Sequence, residues 1–393
     1  MSDRSRQTMS LTSSIFGNDS DRDGEETNTL FSSSIPSQGK PSSSSVRTAG
    51  LSSAASTGLP GCRDDAEAVR RTIEKRRSRS KEQVIADLDF PSALGGEHIP
   101  ADEMATETAY AVRQHGLCVI RNVFDPSVMK IIAKEAKELQ SRMYGALRAR
   151  NIDASDETFR FREAASRCKG RTDVIFPALT RDGGPLQGVS QKIVRNEAVY
   201  PVVRNLLGAE DDDGVKLVYA GLIFNSPGSN DQPFHQDGVP LFPELPGGRS
   251  AEIQASMPPY AVNVFIPLED SDGDVWKGPT EFIPGSHKWP EPDRQLERVL
   301  EGKCSENKIV SPILMCGDAL LYDYRVCHRG TSNLSGRCSL GKSDKQQSKR
   351  RKKMREELGT VRRILYLMYG RPWYDDHVNF DYTKSSESLF EYT

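Results

Sequence analysis

Gln232-Pro-Phe-His-Gln-Asp-Gly238 sets an imidazole, His235, and a carboxylate, Asp237, two residues apart, shortly after Pro227-Gly228. In an extended strand residues i and i+2 share a face. If 233–237 is a strand, His235 and Asp237 form a chelating pair and Gln236 points away. One His-x-Asp is a weak signal alone. Further on, Tyr322-Asp-Tyr-Arg-Val-Cys-His328 ends a second β-like run on another histidine. Two imidazoles and one carboxylate on one side of an ion leave the other side open, the arrangement of non-heme iron(II) centres. A closed structural zinc site would need more thiolate or imidazole than this region holds. By itself His328 reads as a satisfied core histidine; beside the His-x-Asp pair it reads as a ligand.

Outward from this stretch, short β-branched and apolar runs at 215–224, Ala261–Pro267, 281–284, 319–324 and 362–369 are separated by Pro and Gly. This texture predicts an antiparallel sandwich or barrel. Upstream, 116–124 is a compact apolar run, and Asp125-Pro126 supplies an N-cap and a first-turn proline. Val128, Ile132, Ala136, Leu139 and Met143 then recur on one helical face. A second helix is expected over 199–207, stopping at Gly208.

The remainder of the chain bounds the function. Of 393 residues 36% are hydrophobic, too few for the whole to be core, and the first 60 hold 17 serines. Residues 1–82 are therefore expected to be a disordered Ser-rich and basic segment. The folded domain is expected over 83–385 with a basic insertion at 337–360, and 386–393 as a tail. Lys+Arg 53 against Asp+Glu 55 gives a net charge of −2, which offers no whole-chain field for nucleic acid or membrane. No apolar run approaches the ~20 residues that cross a bilayer. The seven cysteines include no Cys-x-x-Cys and suit neither a disulfide framework nor a thiolate zinc site, so a reducing compartment is expected. That places the chain in the cytoplasm, with the nucleus as the alternative through Lys349-Arg-Arg-Lys-Lys353. The final Phe390-Glu-Tyr-Thr393 is not a peroxisomal address.

Several stretches together resemble one family. They are 116–124, 232–238, Val262-Asn-Val-Phe-Ile-Pro-Leu268, Gly278-Pro-Thr-Glu-Phe-Ile-Pro-Gly-Ser-His287, 317–325, His328-Arg-Gly-Thr-Ser-Asn333 and 362–369. In order and spacing they are similar to the phytanoyl-CoA dioxygenase-like branch of the iron(II)/2-oxoglutarate oxygenases. The resemblance implies a double-stranded β-helix (jelly roll, cupin-like), mostly β with flanking helices. It also implies Fe(II) on His235, Asp237 and His328, 2-oxoglutarate as cosubstrate with ascorbate as a reductant, and hydroxylation of a small organic molecule with release of succinate.

The family's arginine for the distal carboxylate of 2-oxoglutarate opens the last core strand. Arg362 holds that position here, ahead of Arg337, whose neighbours lack strand character, and of Arg363, one residue out of phase. Asn225 and Asn263, on strands flanking the metal, are expected to touch the cosubstrate, and Phe265 to form an apolar wall. His287 is expected to be structural or to support the ligands, and His98, His115 and His377 to have no special role. Cys327 is expected to point outward. Selectivity is assigned to 159–179, with Arg160, Arg162, Arg167 and Arg171, and to 241–260; the arginines hint at an anionic substrate. Two rivals are a barrel that has lost turnover and serves as a binding module, and a cupin-type metal-dependent isomerase or hydrolase. The sequence leaves the oligomeric state open.

Overall fold

The structure is a computed structural model that describes residues 71, 89–90, 101–154, 158–181, 183–238, 241–242, 249–270, 276–303, 309–335, 361–376, 379 and 387–390. Nearly all of the Ser-rich segment, the basic insertion with Arg337, and His98 and His377 lie outside these residues. The described residues fall in one compact unit, Thr57–Thr393. In chain order the strands are β1 (Asp89–Phe90), β2 (Leu117–Ile120), β3 (Ala164–Cys168), β4 (Arg171–Ile175), β5 (Lys216–Asn225), β6 (Ala261–Pro267), β7 (Thr280–Phe282), β8 (Ala319–Asp323), β9 (His328–Gly330) and β10 (Arg362–Gly370). The α-helices are α1 (Ala101–His115), α2 (Pro126–Ala149), α3 (Gln187–Val194), α4 (Tyr200–Leu207), α5 (Ser250–Ser256) and α6 (Pro292–Leu300).

Among the described residues the large sheet runs β1-β2-β8-β6-β10-β5-β4-β3, and β7 pairs with β9 in a small one. Two isolated bridges extend the small sheet: His235 to His328 and Phe282 to Val310. The small sheet therefore reads 235-β9-β7-310 against the large sheet's β5-β10-β6-β8, which is the double-stranded β-helix expected from the sequence.

Alternation along the strands sorts side chains into two cores. On the outer face of the large sheet, Cys118, Ile120, Ala220, Leu222, Phe224, Val262, Val264, Leu321 and Leu365 pack with apolar residues of the helices. The five periodic residues of α2 are all buried in this cluster, each contributing roughly 1–3 kcal/mol according to size. Asp125 caps α2 by accepting the Ser127 N–H at 2.6 Å. α4 ends at Gly208, whose φ of 62° is the left-handed conformation that terminates helices. On the inner face, Leu117, Val119, Phe265, Leu320, Tyr322, Ile364 and Tyr366 meet Phe282, Val310 and Val326 between the two sheets.

Three features depart from the sequence reading. Residues 164–175 form the β3–β4 hairpin that extends the large sheet, where a selectivity loop was expected. Its inward positions are polar (Arg171, Asp173), so no apolar alternation betrays it. Residues 233–237 pair only through the bridge at His235. The described part of the C-terminal tail packs back on the domain: Leu389 is fully buried, and the N–H groups of Leu389 and Phe390 donate to Glu163.

Candidate metal centre

His235 and His328 face each other as a hydrogen-bonded antiparallel pair, each N–H donating to the other's carbonyl at 2.9 Å. The pairing brings their rings to 4.6 Å between centroids. Each Nδ1 lies 2.9 Å from the carbonyl two residues earlier, Pro233 for His235 and Val326 for His328. A carbonyl can only accept, so Nδ1 is the donor in both rings and Nε2 is the nitrogen left to face a ligand. Burial, and after it the facing His328, lower the His235 pKa to about 4, so its ring is neutral at ordinary pH.

Asp237 completes the group. Its Oδ1 lies 3.8 Å from His235 Nε2 and 3.6 Å from His328 Nε2, and the three ligand atoms fall within 4.8 Å of one another. Its Oδ2 accepts hydrogen bonds from Asn263 Nδ2 at 2.8 Å and Tyr322 Oη at 3.0 Å. Asn263 and Tyr322 are register partners on β6 and β8, so the pleat aims both at the same inner face. Burial first, and Asp237 second, raise the Tyr322 pKa well above its ordinary value, which keeps the phenol protonated as a donor. The backbone N–H of Asp237 donates to Tyr324 O at 3.3 Å. Two imidazole nitrogens and one orientated carboxylate oxygen fit a single divalent transition-metal ion with open positions. His235 keeps 30% of its side-chain surface exposed against 6% for His328, so solvent reaches the centre from the His235 side.

Beside that opening, Arg167 binds Asp173 through Nε at 3.0 Å and Nη2 at 2.6 Å, and Tyr366 Oη donates to the other carboxylate oxygen at 2.9 Å. Burial opposes the Arg167 charge, but Asp173 outweighs it and the pKa rises; Asp173 is itself raised by burial.

At the far end of the barrel, Arg171 on β4, Asn225 on β5 and Arg362 on β10 lie in one cross-strand row. Arg362 Nη1 donates to Gly278 O at 2.9 Å. Burial, and next the Arg171 charge, lower its pKa to about 9. Asn225 Nδ2 reaches the carbonyls of Lys277, Gly278 and Thr331, and its Oδ1 accepts the Ser229 hydroxyl.

The other expected positions divide clearly. Arg363 faces outward and binds Glu269 and, at 2.8 Å, Gln140 of α2. Gln236 turns away from the ligands and donates to Arg325 O. Phe265 lines the interior, 5.0 Å from Tyr322 between ring centroids. His287 is buried with Nε2 3.2 Å from Arg113 O, and His115 lies at the end of α1. Cys327 faces the outer side of the small sheet, buried with Phe234, Ile283 and Val299. Both asparagines are engaged by protein groups, Asn263 by a ligand carboxylate and Asn225 by the chain. Tyr322, Asp173 and Tyr366 escaped the sequence reading; for Tyr322 the usable signal was its strand phase, two residues before Tyr324 and opposite Asn263.

A model of the phytanoyl-CoA dioxygenase (PhyH) family matches residues 112–339. The iron/alpha-ketoglutarate-dependent dioxygenase ausU of Aspergillus calidoustus is 26% identical over 226 residues, 56% of this chain and 62% of that protein. The match thus spans less than two thirds of that relative's length. Among solved structures, AviO1 from Streptomyces viridochromogenes is 17% identical with a TM-score of 0.43, over 68% of this chain and 96% of its own. The alpha-ketoglutarate-dependent epimerase SnoN from nogalamycin biosynthesis is likewise 17% identical with a TM-score of 0.43, over 68% of this chain and 80% of its own.

Proposed function

Because the chain belongs to the phytanoyl-CoA dioxygenase family, we propose that it is an iron(II)- and 2-oxoglutarate-dependent dioxygenase that hydroxylates a small organic substrate. The observation that carries the reading is the convergence of His235 Nε2, Asp237 Oδ1 and His328 Nε2 to within 4.8 Å of one another. In this reading those three residues hold Fe(II), and Arg362 pairs with the distal carboxylate of 2-oxoglutarate. Bound together, metal and cosubstrate supply oxygen activation coupled to oxidative decarboxylation to succinate.

The chain's own groups do the rest. The carbonyls of Pro233 and Val326 fix both imidazole tautomers, and Asn263 and Tyr322 hold Asp237 so that Oδ1 faces the ion. Asn263 is thereby assigned to a ligand and Asn225 to the frame around Arg362, instead of to direct cosubstrate contact. Phe265, Ile364, Tyr366 and Phe282 exclude water from the barrel interior. The substrate approaches from the partly exposed His235 side, where the β3–β4 hairpin with the Arg167–Asp173 ion pair forms a wall.

The test is substrate-stimulated formation of succinate from 2-oxoglutarate with Fe(II) and ascorbate, across acids, acyl-thioesters and amines. Turnover that is lost in Asp237→Ala supports the reading. Turnover that needs metal and is indifferent to 2-oxoglutarate supports the isomerase or hydrolase rival instead.

A further inference from the structure

Arg171 is 3% exposed, yet no acidic side chain among the described residues forms an ion pair with it, and its Nε has no hydrogen-bond partner. Its guanidinium donates from Nη2 to Thr331 O at 2.6 Å and is also hydrogen-bonded to the Cys168 thiol. Arg362, across Asn225 in the same row, holds a carbonyl, Gly278 O, and likewise forms no ion pair among the described residues. The two carbonyls belong to chain segments that touch: the peptide of Thr331 lies against Gly278, and Thr331 N–H donates to Pro279 O at 3.1 Å. Both guanidinium groups are therefore fastened to the same end of the small sheet. Gly330 has no side chain, and any Cβ there would overlap the Arg171 guanidinium.

An unneutralised buried charge is costly, and two like charges in one barrel end cost more. Each lowers the favourability of the other's charged form, as the depressed Arg362 pKa reflects. The groups that favour the Arg171 charge are the Cys168 thiol first and, after it, Asp231, the one carboxylate among them, whose Oδ1 already accepts the Ser332 N–H at 2.5 Å. A pair of cations held this way, with one donor unmet, fits an anion supplied from outside.

We infer that Arg171 is a second cation of the cosubstrate pocket, so that the distal carboxylate of 2-oxoglutarate is gripped between two guanidinium groups, Arg171 and Arg362. The inference rests on the function proposed above. It assigns to Arg171 discrimination between 2-oxo acids with and without a second carboxylate.

The test is calorimetric binding of 2-oxoglutarate, and of 2-oxopentanoate, to the Mn(II)-loaded full chain under nitrogen, with thermal melting as a control for folding. Arg171→Gln is expected to weaken 2-oxoglutarate about 10- to 100-fold, the effect of losing one charge-assisted contact, and to leave 2-oxopentanoate unchanged. An unchanged Kd for 2-oxoglutarate, or equal weakening of both acids, overturns the inference and makes Arg171 a structural latch. If Arg171→Gln does not fold, Arg171→Lys carries the test: loss of the planar fork should weaken 2-oxoglutarate about tenfold, and an unchanged Kd overturns the inference. Wild-type protein that binds Mn(II) but no 2-oxoglutarate overturns the proposed function, and the inference with it; tight wild-type binding with an indifferent Arg171 variant overturns the inference alone.

Discussion

His235 and His328 are joined backbone to backbone by two reciprocal hydrogen bonds of 2.9 Å, and this single bridge closes the small sheet where the barrel would otherwise gape. The bridge does two things at once. It pins residue 235 against β9 in a register that puts both rings on the inner side, and it brings the His328 ligand atom within 4.8 Å of those of His235 and Asp237, from which the chain separates it by more than ninety positions. Local strand content around His235 is minimal, so the pairing with β9 decides the geometry of the centre.

The hydrogen bonds from Asn263 and Tyr322 to Asp237 Oδ2 orient the carboxylate. Asn263→Ala is expected to weaken metal binding about 10- to 100-fold, with Tyr322→Phe at the lower end. Competition against a chelator of known affinity measures this. Unchanged affinity in both variants would remove the orienting role.

Gly221 lies on the inner face of β5 opposite Tyr366, and a methyl there would overlap the phenol ring. The ring is held by its bond to Asp173 and cannot yield without breaking it. Gly221→Ala should cost about 1–3 kcal/mol in a urea titration. A variant as stable as wild type would mean that the ring moves freely.

Arg167 is the only cation paired with Asp173 among the described residues, and Asp173 is 4% exposed. Arg167→Met leaves a buried carboxylate supported by Tyr366 alone, for an expected loss of about 3–5 kcal/mol. Adding Asp173→Asn should restore much of it. Absence of such coupling in the double-mutant cycle would contradict the assignment.

Burial lowers the pKa of His287, with Asp323 raising it in part and Arg325 and Lys288 lowering it. The folded state therefore prefers the neutral ring, while the unfolded chain takes up a proton near pH ~6.5. Stability is present above that value and falls as pH drops from about 6.5 toward the lower folded pKa. His287→Gln should flatten this part of the urea-midpoint profile; an identical slope in both proteins would assign the pH dependence elsewhere.

Much of this was legible in the sequence. The runs that became β5, β6, β8 and β10 are apolar almost throughout because one face meets helices and the other the small sheet, so both are buried. Asp125-Pro126 and Gly208 mark helix ends by local chemistry, so they needed no tertiary information. The His-x-Asp spacing and the distant His328 named the three side chains that converge. The β3–β4 hairpin was hidden because its inward residues are polar, Asp173 paired with Arg167 and Arg171 bound to a carbonyl, which removes the period-two apolar signal. Helix α1, with its exposed Tyr110 and mixed polar face, was passed over because its burial depends on packing against α4 and β2. Which atoms Asn225 and Asn263 bind was equally out of reach, since an amide's partners are chosen by cross-strand register.

The central claim is that one metal ion sits on His235, Asp237 and His328. Anaerobic calorimetric titration of the metal-free full chain with Co(II) tests it most directly, alongside His235→Ala, Asp237→Ala and His328→Ala. The account predicts one ion per chain in the wild type and loss of that binding in each of the three variants with melting behaviour retained. Stoichiometric binding that survives all three substitutions would contradict it.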